Sequence, residues 1–518
     1  MIRAFTTEQV RDAEKPLLEA GEPLMQRAAT ALALRTLRLL RQDGAPLPGA
    51  RVLVLAGPGN NGGDGLFAAA RLRRRGVAAD ALAVLGRHHE DGARALRTAG
   101  GRVHVAGSGG TGERDREEDP TSLFSRLTAS HGVDLVLDAV TGTGGRPELA
   151  PAVRSLFDAV REAGAPVLAV DVPSGTDATT GIAAEGALNA RETVTFGAIT
   201  SGLLLPGCAD LAGTVHLADI GLAPQLPDVP DLLRLDDGSA AELWPRPSRD
   251  ADKYSRGVVE ITAGSATYPG AAVLSTSGAA RAGAGMVRLD APQRVVDLVL
   301  QRRPEVVGDR GKHQSRVVGS GVPAEDERLA DALEDLAHGT RPHEETRLPG
   351  VVDAGGLEAI GPGDRFHEGV VLTPHAGEAS RLAEKLGVDA SQPAPRLARA
   401  LAEATGATVL LKGAVTIIAP PDPDQPLLSQ DDATAQLATA GAGDVLGGVL
   451  GSLLAAGLPG PRAAALAALV HGRAARAAAR GGLAPIAALD VAEHVPAVVT
   501  TILAGAARRH PSDEAGGA

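Results

Sequence analysis

The chain has 518 residues, of which 51 are Lys or Arg and 63 are Asp or Glu, giving a formal net charge of −12. This length exceeds the ~100 to 200 residues of one domain, and the acidic balance excludes nucleic acid as a partner. Six Phe, two Tyr and one Trp are too few for base-stacking platforms, and the single cysteine, Cys208, can make neither an intrachain disulfide nor a zinc cluster.

The N-terminus mixes charges from its third residue onward and has no apolar run of signal-peptide length. One later apolar stretch, Val445 to Leu458, is 14 residues long, which suits a buried helix better than a bilayer helix of ~20. A cytoplasmic protein without a membrane partner is expected. Thr7 to Leu40 reads as helical, interrupted at Pro16 and at Gly21-Glu22-Pro23. Apolar β-branched runs then alternate with helical patterns: RVLVLA (51–56), ALAVL (81–85), VDLVLDAV (133–140), PVLAVDV (166–172) and ETVTFG (192–197). That rhythm predicts an α/β domain with a Rossmann-like open parallel sheet and helices on both faces. Segment 107–120 has the composition of a solvated loop.

Prolines at 224, 227, 230, 245 and 247 cluster with acidic residues, so 224–249 is expected to be a Pro-rich linker after a first domain over 1–223. A second cycle follows: VVEITAG (258–264), MVRLDAP (286–292), RVVGSG (316–321), VVDAGG (351–356), VVLTPH (370–375) and TVLLKGAVTIIAP (408–420). Ala-rich helices run from 443 to 507, which completes a second three-layer α/β domain over 250–507, and 508–518 reads as a disordered tail.

GPGNNGGDG (57–65) directly follows the strand RVLVLA. Gly57, Gly59 and Gly62 have the dinucleotide spacing, though the same glycines suit any tight strand-to-helix turn. Asn60, Asn61 and Asp64 add two carboxamides and a carboxylate, able to bind ribose, amide or cation at the carboxyl edge of a parallel sheet. Asp138 and Asp171 terminate apolar strands, so both carboxylates are expected to point into the crevice above that sheet. Buried unpaired, each would cost several kcal/mol, which argues for a cation or a dense set of donors; the alternative is helix capping by Asp or by Ser174.

In the second half, TAGAGD (439–444) precedes a long apolar helix. Gly441, Ala442 and Gly443 leave amide groups open at a helix N-terminus, suited to a phosphoryl anion, with Asp444 beside it to accept a hydroxyl proton. An ordinary glycine turn is the alternative. Lys412-Gly413 lies in a hairpin between two apolar strands, suited to a phosphate or ribose. His375 ends a strand before a helix that carries Glu378, where a structural histidine is the other reading. Pro269 to Ala272 joins strand to helix through small residues and leaves room for a large ligand.

MQRAA (25–29), GPGNNGGDG, DAVTGTG (138–144), DVPSG (171–175) and the TVTFG, GLLLPG and DIGL runs within 193–222 resemble the NAD(P)H-hydrate epimerase domain over nearly all of 1–223. The resemblance implies that Asn60, Asn61, Gly62, Gly63 and Asp64, with Gly142, Thr143, Gly144, Gly145, Arg146, Pro147 and Glu148, contact the hydrated nicotinamide dinucleotide. It also implies a potassium ion held by Asn61, Asp138 and Ser174, and a catalytic Asp171 facing the ring whose R and S forms interconvert. Thr200 departs from the pattern, standing where many relatives carry lysine.

AGS, YPGAA, RAGAG, RPE (303–305), TPHAGE, KGAVT and AGAGD resemble, in order and spacing, the ADP- or ATP-dependent NAD(P)H-hydrate dehydratase, a family of ribokinase-like fold, from about 250 to 505. By that resemblance Lys412, Gly413, Ala414, Val415, Thr416 and Gly443 contact the adenine nucleotide. Ala271, Gly321, His375 and Asp444 line the hydrate site, Asp444 is catalytic, and magnesium accompanies the phosphates. Gly355 and Glu358 depart from the family pattern after Asp353, as does the loop GSGV (319–322). The expectation is a bifunctional, homo-oligomeric repair enzyme acting on hydrated NADH or NADPH with ADP, or else ATP. The alternative is a small-molecule kinase joined to a non-catalytic sensing or scaffold domain.

Overall fold

In the chain's N-terminal third, the strands Arg51–Ala56 and Leu135–Ala139 lie side by side although two strands and three helices separate them in sequence, and this reversal creates the first site. The computed structural model describes residues 1–107, 118–130, 132–341 and 346–509. Most of the expected loop at 107–120, and the expected tail from 510 onward, lie outside the described residues. The chain divides into two units, Arg3–Asp231 and Leu232–Ala518, the latter joined by Met1–Ile2.

The N-terminal unit runs β1 (Ile2–Phe5), α1 (Thr7–Glu19), α2 (Leu24–Gln42), β2 (Arg51–Ala56), α3 (Asn60–Arg73), β3 (Ala78–Ala83), α4 (Glu90–Thr98) and β4 (Val103–Val105). It continues with α5 (Pro120–Thr128), β5 (Leu135–Ala139), α6 (Pro151–Glu162), β6 (Val167–Val170), β7 (Glu192–Phe196), β8 (Ile199–Thr200), α7 (Cys208–Ala212) and β9 (Thr214–Ala218). Seven strands form one parallel sheet in the order β4-β3-β2-β5-β6-β7-β9. Along β2 the period of two divides the layers: Val52, Val54 and Ala56 pack with residues of α1 to α4, whereas Leu53 and Leu55 pack with Phe124 of α5 and Phe157 of α6.

The order reverses between β2 and β5, which leaves a crevice above their carboxyl ends. The turn out of β2 is so close to its neighbours that a Cβ on Gly57 would lie 1.9 Å from the Val140 carbonyl oxygen, and one on Gly62 2.0 Å from that of Gly57. Glycine at these two positions therefore permits the strand-to-helix turn. Pro16 does not interrupt α1 as expected; the break falls at Ala20 to Pro23. Both Pro16 and Asp12, whose carbonyl would have bonded its missing N–H, are exposed, so water can satisfy the freed oxygen.

The C-terminal unit comprises β10 (Leu232–Arg234), α8 (Asp237–Leu243), β11 (Val258–Thr262), α9 (Pro269–Arg281), β12 (Met286–Asp290), α10 (Gln293–Arg302), β13 (Ser315–Val318), α11 (Glu327–His338), β14 (Gly350–Val352) and α12 (Gly355–Ala359). Then follow β15 (Val370–Leu372), α13 (Ala376–Leu386), α14 (Ala394–Thr405), β16 (Thr408–Leu411), β17 (Thr416–Ala419), β18 (Leu427–Gln430), α15 (Ala442–Ala455), α16 (Gly460–Ala478) and α17 (Ala488–Arg509). Its strands run β12-β11-β13-β14-β15-β16-β17-β18-β10, parallel except where β17 pairs with β16 and β18.

Two sequence expectations change here. The stretch 224–249 is not a linker throughout, because β10 and α8 lie within it and bury Leu232, Ala240 and Ala241. Arg234 of β10 is also buried, with its Nε 3.3 Å from Ser429 Oγ on β18. The proline cluster obscured this short strand and helix. Similarly, α17 extends through Arg509, so residues 508 and 509 of the expected tail are helical. Among the described residues, Ala488–Ala506 is the one helical stretch long and apolar enough to cross a membrane. Its Val491, Ala492, Val495 and Ile502 join the buried core of the unit.

The helix carrying Asp444 is set by close backbone packing. A Cβ on Gly448 of α15 would lie 2.0 Å from the Ser275 carbonyl oxygen of α9, and one on Gly278 of α9 would lie 2.3 Å from that of Val445. The glycines of VLGGVLG thus let α15 rest directly on α9.

Candidate active sites

Above the β2/β5 reversal the N-terminal unit holds a cavity of about 580 Å³, walled by α1, α2, the start of α3, the loops after β2 and β5, and Asp171 at the end of β6. Asp171 adopts a φ of 70°, a strained conformation for a residue with a side chain. Thr143 N at 3.2 Å and Thr195 Oγ1 at 3.1 Å donate to its carboxylate, and the Phe196 backbone supports it. Burial raises its pKa against the effect of those bonds. Asp64 is pushed up to about 8 by burial, then by the charges of Asp171 and Glu14. Burial and Asp171 likewise raise Glu14. Three carboxyl groups therefore meet in one cavity and resist being ionised together, an arrangement suited to holding and passing protons.

Behind this wall lies a cluster of buried oxygen-bearing groups. Asp138 is fully buried and accepts from Ser174 N at 2.9 Å and Ser174 Oγ at 2.6 Å, while burial raises its pKa. The Ser174 hydroxyl accepts from Thr141 N at 2.9 Å, and Asn61 Nδ2 donates to the Thr141 carbonyl at 2.9 Å. Asn61 Oδ1 is buried without a partner, as are Asp64 Oδ1 and Thr200 Oγ1. An orphaned amide oxygen near a buried carboxylate is donor chemistry for a hard cation.

Of the residues expected at this site, Asn60, Asn61, Asp64, Gly142, Thr143, Gly144, Gly145 and Asp171 line the cavity. Asp138 does not point into the crevice; its carboxylate is occupied in fastening the Ser174 loop, and neither residue caps a helix. Gly62 and Gly63 sit in the first turn of α3 away from the wall. Arg146, Pro147 and Glu148 also lie off it, because the tight turn from Gly145 N to the Gly142 carbonyl, 2.7 Å, carries the chain away. Sequence reasoning missed Arg11 and Glu14 of α1. The available signal was the i,i+4 spacing of Val10 and Glu14 on one helix face.

In the C-terminal unit, Ser320, Asp353, His375 and Lys412 follow the carboxyl ends of β13, β14, β15 and β16, and Asp444 lies in the first turn of α15. Lys412 Nζ is 2.8 Å from Asp353 Oδ1 and 3.7 Å from Glu378 Oε2. Burial opposes its charge, but Asp353, Glu378 and Asp444 outweigh that and raise its pKa. Burial, then the Asp353 charge, push Asp444 up to about 7, while Ser320 and Lys412 act in the opposite direction. Gly441 enters α15 at a φ of 85°. A Cβ on Gly443 would come within 3.3 Å of Lys412 Nζ and 3.4 Å of Asp353 Oδ2, so the small residue brings the helix start against the ion pair.

His375 combines both sequence readings. Its Nδ1 accepts from Gly377 N at 3.0 Å and Glu378 N at 3.3 Å, capping α13, while its half-exposed ring remains beside the Lys412 strand end. Ala271, in the first turn of α9, faces Gly321, where a Cβ would lie 2.6 Å from that of Ala271. Gly413 and Ala414 form the exposed hairpin tip and Thr416 opens β17, but the Val415 side chain is buried, so only its backbone can meet a ligand. The sequence reading did not assign roles to Ser320 or Glu378, and it missed His471. Burial of this α16 histidine holds it down to about 4 despite its contact with the Ala442 backbone, and its Nε2 has no partner. Among the described residues, no group of three or more His, Cys, Asp or Glu side chains is arranged to hold a metal ion.

Comparison with known proteins supports two matches on the chain. Residues 259–497 match the family model described as NAD(P)H-hydrate dehydratase, and residues 21–202 match the YjeF-related protein N-terminus. The bifunctional NAD(P)H-hydrate repair enzyme Nnr of Mycobacterium leprae is 40% identical over 507 residues, covering 95% of this chain and 98% of that protein. The protein of the same name from Escherichia coli K12 is 31% identical, covering 85% and 83%. Among solved structures, the ADP/ATP-dependent NAD(P)H-hydrate dehydratase of Bacillus subtilis, co-crystallised with ATP/Mg2+, is similar to 53% of this chain and 99% of its own, with 24% identity and a TM-score of 0.45.

Proposed function

Because this chain belongs to the family of bifunctional NAD(P)H-hydrate repair enzymes, we propose that its two units act in turn on one damaged cofactor. The N-terminal unit interconverts the R and S forms of hydrated NADH or NADPH. The C-terminal unit dehydrates the S form, using ADP, or else ATP, as phosphoryl donor.

The observation that carries this reading is Asp444, a carboxyl poised at about 7 in the first turn of α15, beside the Lys412 ammonium. The Ala442 N–H is taken up by the Thr439 carbonyl at 3.4 Å, so the N–H groups that follow it at the start of that helix receive the terminal phosphoryl group. Asp444 accepts the proton of the hydrate's ring hydroxyl as its oxygen attacks phosphorus and the bond to the nucleotide's remaining phosphate breaks. The phosphorylated hydroxyl then leaves as phosphate, a proton is lost from the neighbouring ring carbon, and the dihydronicotinamide is restored. With ADP the other product is AMP. Asp353, Glu378 and Asp444 leave the Lys412 cluster net negative, which fits a magnesium ion arriving on the nucleotide phosphates and screening charge there.

In the N-terminal unit Asp171 moves the proton of the hydroxyl that leaves and returns at the epimerising carbon, and Asn60, Asn61, Asp64 and Gly142 to Gly145 hold the dinucleotide. Asn61, Asp138 and Ser174 would hold a potassium ion; the unpartnered Asn61 oxygen and the buried Asp138 carboxylate support that fit. When bound, potassium would neutralise Asp138 and order the Ser174 loop. The proposal includes a cytoplasmic setting, a homo-oligomeric state and no nucleic-acid partner, the last supported by the net charge of −12.

The test supplies mixed R and S hydrates with ADP or ATP and follows the returning absorbance of the reduced ring. Asp171→Ala should leave the R form unrepaired, and Asp444→Ala should block recovery from both. A stable phosphorylated product without recovery would identify a small-molecule kinase instead.

A further inference from the structure

The match to the YjeF-related protein N-terminus begins at residue 21, yet α1, which ends at Glu19, supplies Val10, Arg11 and Glu14 to the cavity wall. Glu14 has no hydrogen bond or ion pair among the described residues, although it is largely removed from solvent and lies close enough to Asp171 for their charges to repel. Such a carboxyl adds nothing to the stability of α1.

Inverting a carbon that carries a hydroxyl group, by loss and return of water, requires proton transfer on both faces of the ring. Asp171 is fastened by Thr143 and Thr195 and can serve only one face without breaking those bonds. Asp64 is a poor second carrier, since its Oδ1 is occluded and the residue is only 9% exposed. Glu14 has a longer side chain, comes from a separate element and is unfastened.

We infer that Glu14 is a catalytic residue of the epimerase site, the second proton carrier working with Asp171. This rests on the epimerase reading of the N-terminal unit. In one direction the protonated carboxyl gives its proton to the ring hydroxyl. The C–O bond breaks with its electron pair on oxygen, water departs, and the ring nitrogen's lone pair forms a C=N bond. Water then adds from the other face, its oxygen pair making the new C–O bond while the C=N pair returns to nitrogen. The proton it releases passes to the other carboxylate, so Glu14 and Asp171 exchange protonation states and no oxidant or reductant is consumed. Asp171 and Arg11 are the charged groups that tune Glu14, raising and lowering it respectively, and Glu14 in turn raises Asp64 across the cavity.

The experiment uses the full chain with Glu14→Gln and Glu14→Asp. R to S interconversion is followed by chromatography across pH, with dehydration of pure S hydrate as the folding control. Glu14→Gln should lower kcat for interconversion roughly 100-fold or more while KM changes less than about 3-fold, and should remove one limb of the pH profile. Glu14→Asp should recover part of the rate. Interconversion by Glu14→Gln at the parent rate, or a rise in KM alone, would overturn the proposal. If the parent protein dehydrates S hydrate but interconverts nothing, the epimerase reading itself has failed, and this inference with it.

Discussion

Lys412 Nζ lies 2.8 Å from Asp353 Oδ1, and this pair sets the proton affinity of Asp444 from two sides, Asp353 raising it and Lys412 lowering it. Removing either partner should therefore move Asp444 in opposite directions from about 7. As a proton acceptor Asp444 works ionised, so dehydration should rise with pH through that value. Lys412→Met should displace the rise to higher pH and lower the rate at neutral pH by roughly 10- to 100-fold. Asp353→Asn should displace it to lower pH. Rates with saturating nucleotide across pH 5 to 9 measure both; shifts in the same direction would refute the coupling.

Asp64 gives a stability prediction in the N-terminal unit. Its folded pKa of about 8 stands above its ordinary 3.8, so the folded state prefers the protonated acid. That contribution is fully present below the unfolded value and is lost as pH rises through about 8. Asp64→Asn should thus stabilise the ligand-free protein more at pH 8 than at pH 5, with a ceiling on the order of 5 kcal/mol. Chemical denaturation at the two pH values provides the comparison. Equal effects at both would mean that Asp64 is solvated.

What the sequence disclosed, and what it concealed, follows from the range of the interactions. Strand cores such as 52–56 and Val167–Val170 were legible because burial on both faces demands an unbroken apolar run. The loops GPGNNGGDG, DVPSG and AGAGD were legible because close backbone approach restricts them to small residues. The direction of Asp138 was not, since a strand-terminal aspartate can either face the crevice or bind the next loop, and only the Ser174 backbone decides. Glu14 and His471 were concealed for another reason: each acts through a partner more than 25 residues away, Asp171 and Ala442 respectively. The strand Leu232–Arg234 was hidden by its neighbouring prolines and is defined by pairing with Leu427–Gln430.

The contact between α9 and α15 provides a steric test. Gly448→Ala would place a methyl group 2.0 Å from the Ser275 carbonyl oxygen, which can move only if the helices separate. Overpacking of this kind should cost about 3 kcal/mol and displace Asp444 from Lys412. Thermal unfolding of the C-terminal unit and the dehydration rate should fall together, while interconversion of R and S hydrates persists. Loss of both activities would show that the damage is not local.

His471 makes the C-terminal unit sensitive to acid. Buried on α16 against the Ala442 backbone, and repelled by Lys412 when charged, it is held at about 4 instead of 6.5. The folded state therefore favours neutral imidazole. Its contribution is whole above pH 6.5 and declines as pH falls through about 4, by roughly 3 kcal/mol in total. Because Ala442 is the first residue of α15, strain from imidazolium would reach the phosphoryl-binding turn before the unit unfolds globally. His471→Met should flatten the stability loss between pH 6.5 and 4 while Asp444 retains its own titration near 7. Urea unfolding at several pH values separates the two groups: an unchanged acid slope in the variant would assign that sensitivity to carboxylates elsewhere.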